Sequence, residues 1–506
     1  MQMAAPNVKR GNHLCQCIFH VTFWYVRKSS FLYQSFILRT GIRKNQHNRI
    51  MISSFNFRGL CLVATLVTGT SLLSAETTNW PQWRGPTANG HATVGNPPVE
   101  WSEFKNVKWK KAIPGKGHSS PVIWGDRLFL MTAVTLEQAG EAKASGNPPA
   151  PQADPQRRRR GGGGRGGFGR QEAPTQEHAF LTMCLNKNTG ETIWSREGVK
   201  AIPHEGHHST NTYSSASPVT DGEHVVSFFG SRGLYCYDLE GNEVWKKDLG
   251  NMATRNGFGE GSSPSLHGNV LIVLWDNETD SFVYAFDKRT GKELWKQQRD
   301  EKTGWTTPYV LTHQGVTQVV INATNKVRSY DLNSGVLIWE CGGQTVNTIP
   351  SIVADSENVY AVSGYRGNMA MAIALGGKGD LTDTGAVKWK VTRGTPYVPS
   401  PLLLNGRLWF TQGNNAVITC VDAKSGEVHY AQERLEGPNG FYASPVGVSD
   451  RVYLAGRNGT TAVIKNADTL NVIAVNELDG EIDASPAVSG NALYVRSHDH
   501  LYCIAE

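Results

Sequence analysis

The stretch FDKRTGKELW, residues 286–295, joins a tight turn to the start of a β-strand. Asp287 can accept hydrogen bonds from the backbone that follows it, and Gly291 can take the positive φ that many such turns need. The Glu-Leu-Trp that comes next alternates as a strand does. Related stretches end at Trp194, Trp245, Trp339, Trp389 and Tyr430, and a weaker copy ends at Ile473. The chain therefore repeats one small structural unit.

A second recurring phrase marks each unit: a proline, usually in Ser-Pro or Thr-Pro, followed by apolar residues. Its prolines are Pro121, Pro218, Pro264, Pro308, Pro350, Pro401, Pro445 and Pro486. Successive prolines lie 41 to 51 residues apart, except for a first interval of 97 residues. A period of about 40–50 residues is typical of propellers and solenoids.

Each unit contains four strand-like runs, which in the third unit read SPSLHG, VLIVLWD, SFVYAFD and KELWKQQ. Four short strands per repeat make one propeller blade. The eight proline-led phrases thus predict an all-β fold, an eight-bladed β-propeller of four-stranded antiparallel blades. The last unit has only three runs, so we expect residues 106–115, around Trp109, to supply its fourth strand. That strand would close the ring and leave no open sheet edge.

The propeller is assigned to residues 107–506, and the chain before it divides into distinct regions. Residues 51–75 have the polar start, apolar run and small-residue end of a signal peptide. We therefore interpret Met51 as the start and residues 1–50 as a spurious or non-structural extension. If Met1 is used instead, the same apolar run becomes an internal signal anchor.

Two further regions lie outside the repeat. Residues 76–106 are expected to wrap the outside of the ring or lie across a face, with Trp80, Trp83 and Trp101 packed on it. Residues 138–177 are rich in Arg, Gly and Pro and interrupt the first blade, which explains the long first interval. Such a composition cannot bury a core, so we expect disorder. The insert is either an electrostatic tether to an acidic surface or a tolerated surface insertion.

The charge of the chain is unevenly distributed. Residues 1–75 contain nine Lys or Arg and no acid, which leaves 41 basic against 44 acidic residues in the rest. The body of the protein therefore lacks the basic excess of a nucleic-acid-binding domain. The sequence predicts an exported protein, periplasmic or extracellular, with no nucleic-acid partner and no integral membrane span in the mature chain.

Two positions in the repeat are interpreted as structural. The tryptophans expected to dock between neighbouring blades are Trp109, Trp194, Trp245, Trp295, Trp339 and Trp389. A position shortly before the turn holds Cys184, Cys236, Cys420 and Cys503, or Ala285 and Ser329 in other units. Interchange of Cys, Ala and Ser indicates a slot for a small buried residue. Cys341 lies outside this register and is a candidate free thiol.

The residues that break the repeat are the functional candidates. Loops between successive blades, and those between middle strands, should converge around the axis on one face. They carry His118, His208, Arg232, Arg255, Glu260, Trp305, Arg366, Tyr397, Asn414, Tyr442, Arg457 and Asp483. Polar and aromatic groups around a concavity indicate a ligand-binding funnel; alternatively, they satisfy one another and ordered water.

Catalytic and metal-binding motifs are weak. His204, His207 and His208 could suggest a metal site, but they lack the H-E-x-x-H helix pattern, and we predict no metal site there. No nucleophile elbow or P-loop occurs where this fold could use it. Catalytic residues are therefore left unassigned.

The phrase AFDKRTGKELW resembles the tryptophan-docking repeat of pyrroloquinoline quinone (PQQ) enzymes and their non-enzymatic relatives, over roughly residues 107–506. The opening WPQWRGPTANG, residues 80–90, is similar to that of secreted PQQ-like propellers of bacteria such as planctomycetes. Quinoprotein dehydrogenases of this family carry an adjacent cysteine pair, absent after Ala75, and a calcium site with an Asp base. Glu260, Asn347 and Asp483 could be fitted to such a site, but no motif fixes them. Other relatives are outer-membrane assembly lipoproteins, whose lipobox is missing.

Two hypotheses about function follow. The first is an exported binding or scaffold module whose polar funnel receives a protein loop, peptide or glycan. The second is a PQQ-dependent oxidoreductase, an alcohol or sugar dehydrogenase, with quinone and calcium in the funnel. In that case the carboxylates of the quinone would pair with Arg232, Arg366 or Arg457. The first is favoured, and whether the protein is an enzyme is left open.

Overall fold

The computed structural model describes residues 78–136 and 172–506. The proposed extension (1–50), the signal peptide (51–75) and most of the Arg/Gly/Pro-rich insert lie outside these described residues. The described chain folds into eight sheets of four antiparallel strands, two of which gain one short parallel strand. The expected eight-bladed β-propeller is confirmed. The described residues include no helix that is long and apolar enough to cross a membrane.

The strands follow one another in blade order. Before the first blade come β1 (His91–Ala92) and β2 (Val107–Ala112). Blade one holds β3 (Val122–Trp124), β4 (Arg127–Thr135), β5 (His178–Asn186) and β6 (Thr192–Ala201). Blade two holds β7 (Val219–Thr220), β8 (His224–Phe228), β9 (Leu234–Asp238) and β10 (Glu243–Lys247). Blade three holds β11 (Ser265–His267), β12 (Val270–Trp275), β13 (Ser281–Asp287) and β14 (Glu293–Arg299). Blade four holds β15 (Tyr309–His313), β16 (Val316–Ile321), β17 (Lys326–Asp331) and β18 (Leu337–Gly342).

The second half continues the pattern. Blade five holds β19 (Val353–Ala354), β20 (Asn358–Ser363), β21 (Met369–Ala374) and β23 (Val387–Val391), while β22 (Gly379–Asp380) adds to the edge of blade four. Blade six holds β24 (Leu402–Leu404), β25 (Arg407–Thr411), β26 (Val417–Asp422) and β27 (Val428–Arg434). Blade seven holds β28 (Val446–Val448), β29 (Arg451–Ala455), β30 (Thr460–Lys465) and β31 (Val472–Glu477). Blade eight holds β32 (Ala487–Ser489), β33 (Ala492–Arg496) and β34 (His500–Ile504). Two short 3-10 helices span Gly230–Arg232 and Arg255–Gly257.

The ring closes as the repeat count predicts. Strand β2 pairs antiparallel with β34, and Trp109 lies opposite Cys503. The first described strand of the repeat thus completes the last blade, so first and last strands hold each other in one sheet.

The recurring Gly-x-x-x-Trp phrase has a packing explanation. The Trp245 indole N–H donates to the carbonyl of Lys288 in the next blade, at 2.7 Å. A Cβ on Gly291 would lie 2.7 Å from the Trp245 ring, and Gly291 has a φ of +66°. The turn therefore needs glycine for two reasons, because it requires left-handed backbone and because the indole of the preceding blade lies against it. The same contact joins Trp109 to Gly190, Trp194 to Gly241, Trp295 to Gly335 and Trp389 to Gly426.

Trp339 departs from this pattern. Its indole donates to Oε1 of Gln318 within its own blade, at 3.0 Å. The turn glycine of the next blade, Gly385, has no atom within 4 Å of an added Cβ. The chain between β21 and β23 is longer here and adds β22 to blade four. Trp339 is fully buried but does not dock on the next turn, so the expected role holds for five of the six tryptophans.

The small-residue slot lies beneath the tryptophans. Cys184 pairs with Trp194, Cys236 with Trp245, and Ala285 with Trp295 across adjacent strands. The five described cysteines are all buried free thiols. A small residue at this position leaves room for the large indole of the neighbouring strand.

The Ser-Pro and Thr-Pro steps form a belt around the axis. The hydroxyl belt consists of Ser120, Ser217, Ser263, Thr307, Ser351, Ser400, Ser444 and Ser485. The backbone N–H of each of the first seven donates to the hydroxyl of the next, at 2.7–3.3 Å. In blade five the belt residue follows Pro350 instead of preceding a proline. Each blade is therefore hydrogen-bonded to the next at the channel as well as through the outer tryptophans.

The N-terminal segment, expected to wrap the outside or lie across a face, hydrogen-bonds to the inner strands of the ring. Backbone N–H groups of Trp80 and Ile123 donate to each other's carbonyls at 2.9 and 2.8 Å. The buried Arg84 guanidinium donates to the carbonyls of Pro401 and Pro445 at 2.7 and 3.0 Å. Because these partners belong to innermost strands of separate blades or to the residues just before them, the segment lies across the channel.

Only the later part of this segment runs outward. The Trp101 backbone N–H donates to Asn476 Oδ1 at 2.8 Å, and its ring stacks on Tyr453 at 6.2 Å. The chain then enters β2. Trp80 and Trp101 are buried on the ring as expected, whereas Trp83 reaches the central cavity.

Candidate functional site

All eight loops between successive blades line one cavity of about 410 Å³ on the axis. Eight of the twelve candidate residues line it: His118, His208, Arg255, Trp305, Arg366, Tyr397, Tyr442 and Asp483. We call this cavity the funnel. The convergence follows from the topology, because each inner strand begins at this face.

The other four candidates lie outside the funnel wall. Arg232 and Glu260 line a neighbouring cavity of about 40 Å³ among the loops around blades two and three. Arg457 lies behind the wall and pairs with Asp483. Asn414 holds two loops together, since its Oδ1 accepts from the Val398 backbone N–H at 3.1 Å.

Trp83, which was expected to pack on the ring, forms the floor of the funnel. Its indole N–H donates to Ser485 Oγ at 3.2 Å, so it is tied to the hydroxyl belt. Trp83 lines the cavity together with the belt residues Ser120, Ser217 and Ser444. The N-terminal segment therefore turns an axial channel into a pocket with one closed end. The segment lies outside the repeat, so the periodicity gave no sign of its position.

One side of the wall is aromatic and strained. Tyr365 and Tyr397 stack with centroids 4.8 Å apart and planes at 23°. Asn347 donates from Nδ2 to the Tyr397 hydroxyl at 2.9 Å. Asn347 has a φ of +63° and is 3% exposed, and its Oδ1 has no hydrogen-bond partner among the described residues. A buried acceptor without a partner costs about 1–3 kcal/mol, and this oxygen has almost no accessible surface of its own.

Two arginines on the wall lack acidic partners. Arg366 has a φ of +51° and its guanidinium lies 5.3 Å from the Tyr365 ring centroid. Arg255 follows Thr254 in a short 3-10 helix, where its backbone N–H donates to Thr303 Oγ1 at 2.8 Å. Neither forms a salt bridge within the described part of the chain. Left-handed backbone at a long side chain is costly and concentrates at functional sites.

Asp483, the only carboxylate that the described residues place on the funnel wall, is already neutralised. Asp483 accepts from Arg457 Nε at 2.7 Å and faces His498 Nε2 at 3.0 Å. Burial alone would raise the pKa of Asp483, but the hydrogen bonds from His498 and Arg457 outweigh it and hold that pKa below its ordinary value. Asp483 therefore stays ionised and adds little net charge to the cavity.

His118 completes this cluster as a neutral imidazole. It stacks on His498 with centroids 4.9 Å apart, and its Nε2 lies 3.8 Å from Asp483 Oδ2. Burial lowers the pKa of His118 to about 3. Its side chain therefore offers a neutral nitrogen to the funnel at any physiological pH. His498 was absent from the candidates, although it lies in a loop between middle strands, a class of loop expected on this face.

The geometry brings together two triads that could hold a metal ion within the described residues, His118–Asp483–His498 and Asp221–Glu223–His224. In the first, Arg457 occupies both carboxylate oxygens of Asp483. In the second, Lys288 bonds to Asp221. Both triads thus already contain a cation that a metal ion would have to displace.

The three histidines in the loop between blades one and two do not come together as one metal site. His204 Nε2 bonds to the Met252 carbonyl at 2.7 Å, and His207 Nδ1 to the His208 carbonyl at 2.7 Å. His208 Nδ1 pairs with Thr210 Oγ1 at 2.8 Å. Their nitrogens are used separately to fix the loop between blades one and two.

Glu260 is an acid with a strongly perturbed environment near the funnel. Its carboxylate accepts from the Ser231 backbone N–H at 2.7 Å and from the Ser231 hydroxyl. Burial raises the pKa of Glu260 to about 7, and these hydrogen bonds oppose the rise only in part. A Cβ on Gly230 would lie 1.4 Å from Glu260 Oε2, so glycine makes room for the carboxylate.

Comparison with solved structures supports the fold. A europium-containing methanol dehydrogenase aligns with a TM-score of 0.53 at 9% identity, covering 83% of this chain and 89% of that one. The quinohemoprotein alcohol dehydrogenase of Comamonas testosteroni aligns with a TM-score of 0.52 at 9% identity, covering 85% and 81%. At such identities the similarity extends to the propeller alone.

Sequence comparison identifies the family. Outer membrane protein assembly factor BamB of Escherichia coli (strain K12) is 23% identical over 206 residues, 39% of this chain and 48% of that protein. The same factor of Legionella pneumophila (strain Paris) is 24% identical over 183 residues, 34% and 44%. The chain thus spans about half the length of these relatives. A PQQ-repeat family model described as outer membrane protein assembly factor BamB matches residues 181–429 and 376–504, more than half of the chain. The chain therefore belongs to this PQQ-repeat family of β-propellers.

Proposed function

We propose that this protein is an exported binding or scaffold module whose funnel holds a ligand. The observation that carries the proposal is the funnel itself, a cavity of about 410 Å³ with a tryptophan floor. Its wall combines backbone strain with two arginines that have no acidic partner among the described residues. Such features are retained where binding uses them.

Export rests on two supports. Residues 51–75 have the pattern of a signal peptide, and the relatives are named as outer-membrane assembly factors. A scaffold role in which the propeller presents its loops to a protein, peptide or glycan is compatible with both.

A PQQ-dependent oxidoreductase is the second candidate, because Arg255 and Arg366 could bind quinone carboxylates. The remaining residues do not fit a quinone held with calcium. Calcium takes six to eight oxygen ligands, and the only carboxylate on the described wall, Asp483, is bound by Arg457 and His498. Glu260 lies in the neighbouring cavity, and the described cysteines are separate buried thiols. We therefore derive no catalytic step through a quinone.

Thermal unfolding against a panel of ligand classes tests the proposal. The panel holds neutral and acidic oligosaccharides, short peptides, and PQQ with and without calcium. We expect at least one class to raise the melting temperature of the wild type by mass action, and to raise that of Arg366→Gln less. Calcium-dependent stabilisation by PQQ, with alcohol or sugar oxidation by an artificial acceptor, would favour the oxidoreductase. A panel that stabilises nothing would contradict a funnel-based binding function.

A further inference from the structure

We propose that the ligand of the funnel is an acidic saccharide, a short sugar chain that carries carboxylate groups. This inference rests on the proposed binding function and adds the chemical class of the ligand. Two properties of the wall support it: its charge and the kind of apolar surface that it offers.

The charge of the funnel wall favours a negatively charged ligand. Arg255 and Arg366 both line the cavity, and no described acid pairs with either. Asp483 contributes little, because Arg457 binds both of its oxygens at 2.7 and 3.2 Å. An arginine fork recognises a carboxylate through two parallel hydrogen bonds. A neutral ligand would leave both guanidinium groups without a counter-charge.

The apolar surface of the wall is aromatic, with little aliphatic area. Flat rings come from Trp83, Trp305, Tyr365, Tyr397 and Tyr442, whereas the only branched aliphatic lining residues in the described chain are Ile349 and Val398. The C–H face of a sugar ring packs on such flat surfaces. A peptide anchored by Leu or Val side chains would instead require a mainly aliphatic pocket, which favours the saccharide over a peptide.

The closed floor limits the size of the ligand. Trp83 is fixed to Ser485 at the base, and the N-terminal segment fills the channel behind it. A polymer therefore cannot pass through the ring. It would present an end or a short fragment to the funnel.

The test is calorimetric titration of the purified protein with trigalacturonic acid, with its methyl ester, and with neutral maltotriose. We expect saturable binding of the acid, and at least roughly tenfold weaker binding of the ester and of maltotriose, as expected for loss of charged hydrogen bonds. Arg255→Gln and Arg366→Gln should each weaken binding of the acid by roughly tenfold. Binding of the acid should also weaken as salt is raised.

The matched control is Arg289→Gln. Arg289 is an exposed arginine in the turn between β13 and β14, at the opposite end of the strands from the funnel. We expect this variant to bind the acid as the wild type does. Unchanged melting temperatures for all three variants would show that binding changes do not reflect unfolding.

Each opposing result has a defined meaning. Equal affinity for the acid and its methyl ester would overturn the acidic class while leaving a binding module in place. Tighter binding of an acidic peptide than of trigalacturonic acid, lost in Arg366→Gln, would replace the saccharide with a peptide. If trigalacturonic acid fails while another class in the thermal panel binds, the inference alone fails. If no class binds, the proposed function fails with it.

Discussion

The outer face of the ring and the funnel are built from the same repeat, but the outer face is regular and the funnel is irregular. On the outer side, five tryptophans make nearly the same contact with a turn glycine of the next blade. Around the funnel, each loop differs from the others, and the cavity contains neutralised, unpartnered and strained groups side by side. The regular region supplies rigidity, and the irregular region can therefore carry groups that cost stability.

The hydroxyl belt separates these two regions. It continues the regular pattern inward, since one hydroxyl per blade accepts from its neighbour. Trp83 donates to the last of these hydroxyls, so the irregular floor is attached directly to the regular ring. This difference predicts two kinds of effect. Substitutions on the outer side of the belt should change the free energy of unfolding, whereas substitutions on the funnel side should change ligand binding.

The largest expected effect is on the outer side. Trp295→Ala removes a ring that is 8% exposed and its hydrogen bond to the Leu332 carbonyl at 2.8 Å. We expect a loss of about 3–5 kcal/mol in the free energy of unfolding, measured by denaturant titration. The control is Leu294→Ala on the same strand, which is 48% exposed and should change stability little. Equal effects from the two variants would contradict tryptophan docking.

The turn glycine should show the next largest effect. Gly291→Ala places a methyl group 2.7 Å from the Trp245 ring at a φ of +66°. We expect a loss of about 2–3 kcal/mol, of which about 1–2 kcal/mol is backbone strain. Gly268→Ala has a φ of +56° with no atom within 4 Å of its Cβ and should show the strain alone. Equal losses of stability in Gly291→Ala and Gly268→Ala would show that the contact with the indole contributes nothing to the effect.

A belt residue should have an intermediate effect. In the wild type, the Ser217 backbone N–H donates to the Ser263 hydroxyl at 2.9 Å. Ser263→Ala removes this acceptor. A buried donor without a partner costs about 1–3 kcal/mol, which chemical denaturation would measure. The exposed Ser195→Ala serves as control and should lie within about 0.5 kcal/mol of the wild type. If Ser263→Ala is as stable as the wild type, the belt does not stabilise the fold.

The smallest effect is a pH dependence next to the funnel. Because burial raises the pKa of Glu260 to about 7, the folded protein holds this proton more tightly than the unfolded chain. The protonated Glu260 therefore contributes to the free energy of unfolding at low pH. This contribution is lost as the pH rises through about 7. Relative to Glu260→Gln, the wild type should lose on the order of 1 kcal/mol between acidic and mildly alkaline pH. A gain over that range would show that the carboxyl is stabilised as an anion.

The regular part of the molecule could be predicted from sequence because it repeats. Spacing alone gave the blade count and the closing strand with Trp109. It failed at Trp339, where an insertion in the next blade moves the turn. Local departures of this kind do not change the period.

The floor and the charge of the funnel could not be predicted because they depend on contacts across the ring. Trp83 lies 402 residues from its partner Ser485 in sequence. His118, Asp483 and His498 meet only because the first and last blades are neighbours. Topology places these residues on one face, but side-chain geometry decides that Asp483 is bound by Arg457 and that Arg366 has no acidic partner in the described part of the chain.

A crystal structure of the protein with trigalacturonic acid is the most direct test of the division between scaffold and funnel. The account predicts one sugar chain above Trp83, with a carboxylate within hydrogen-bond distance of Arg366 or Arg255. An empty funnel at saturating ligand, or a ligand bound only on the outer face of the blades, would contradict it.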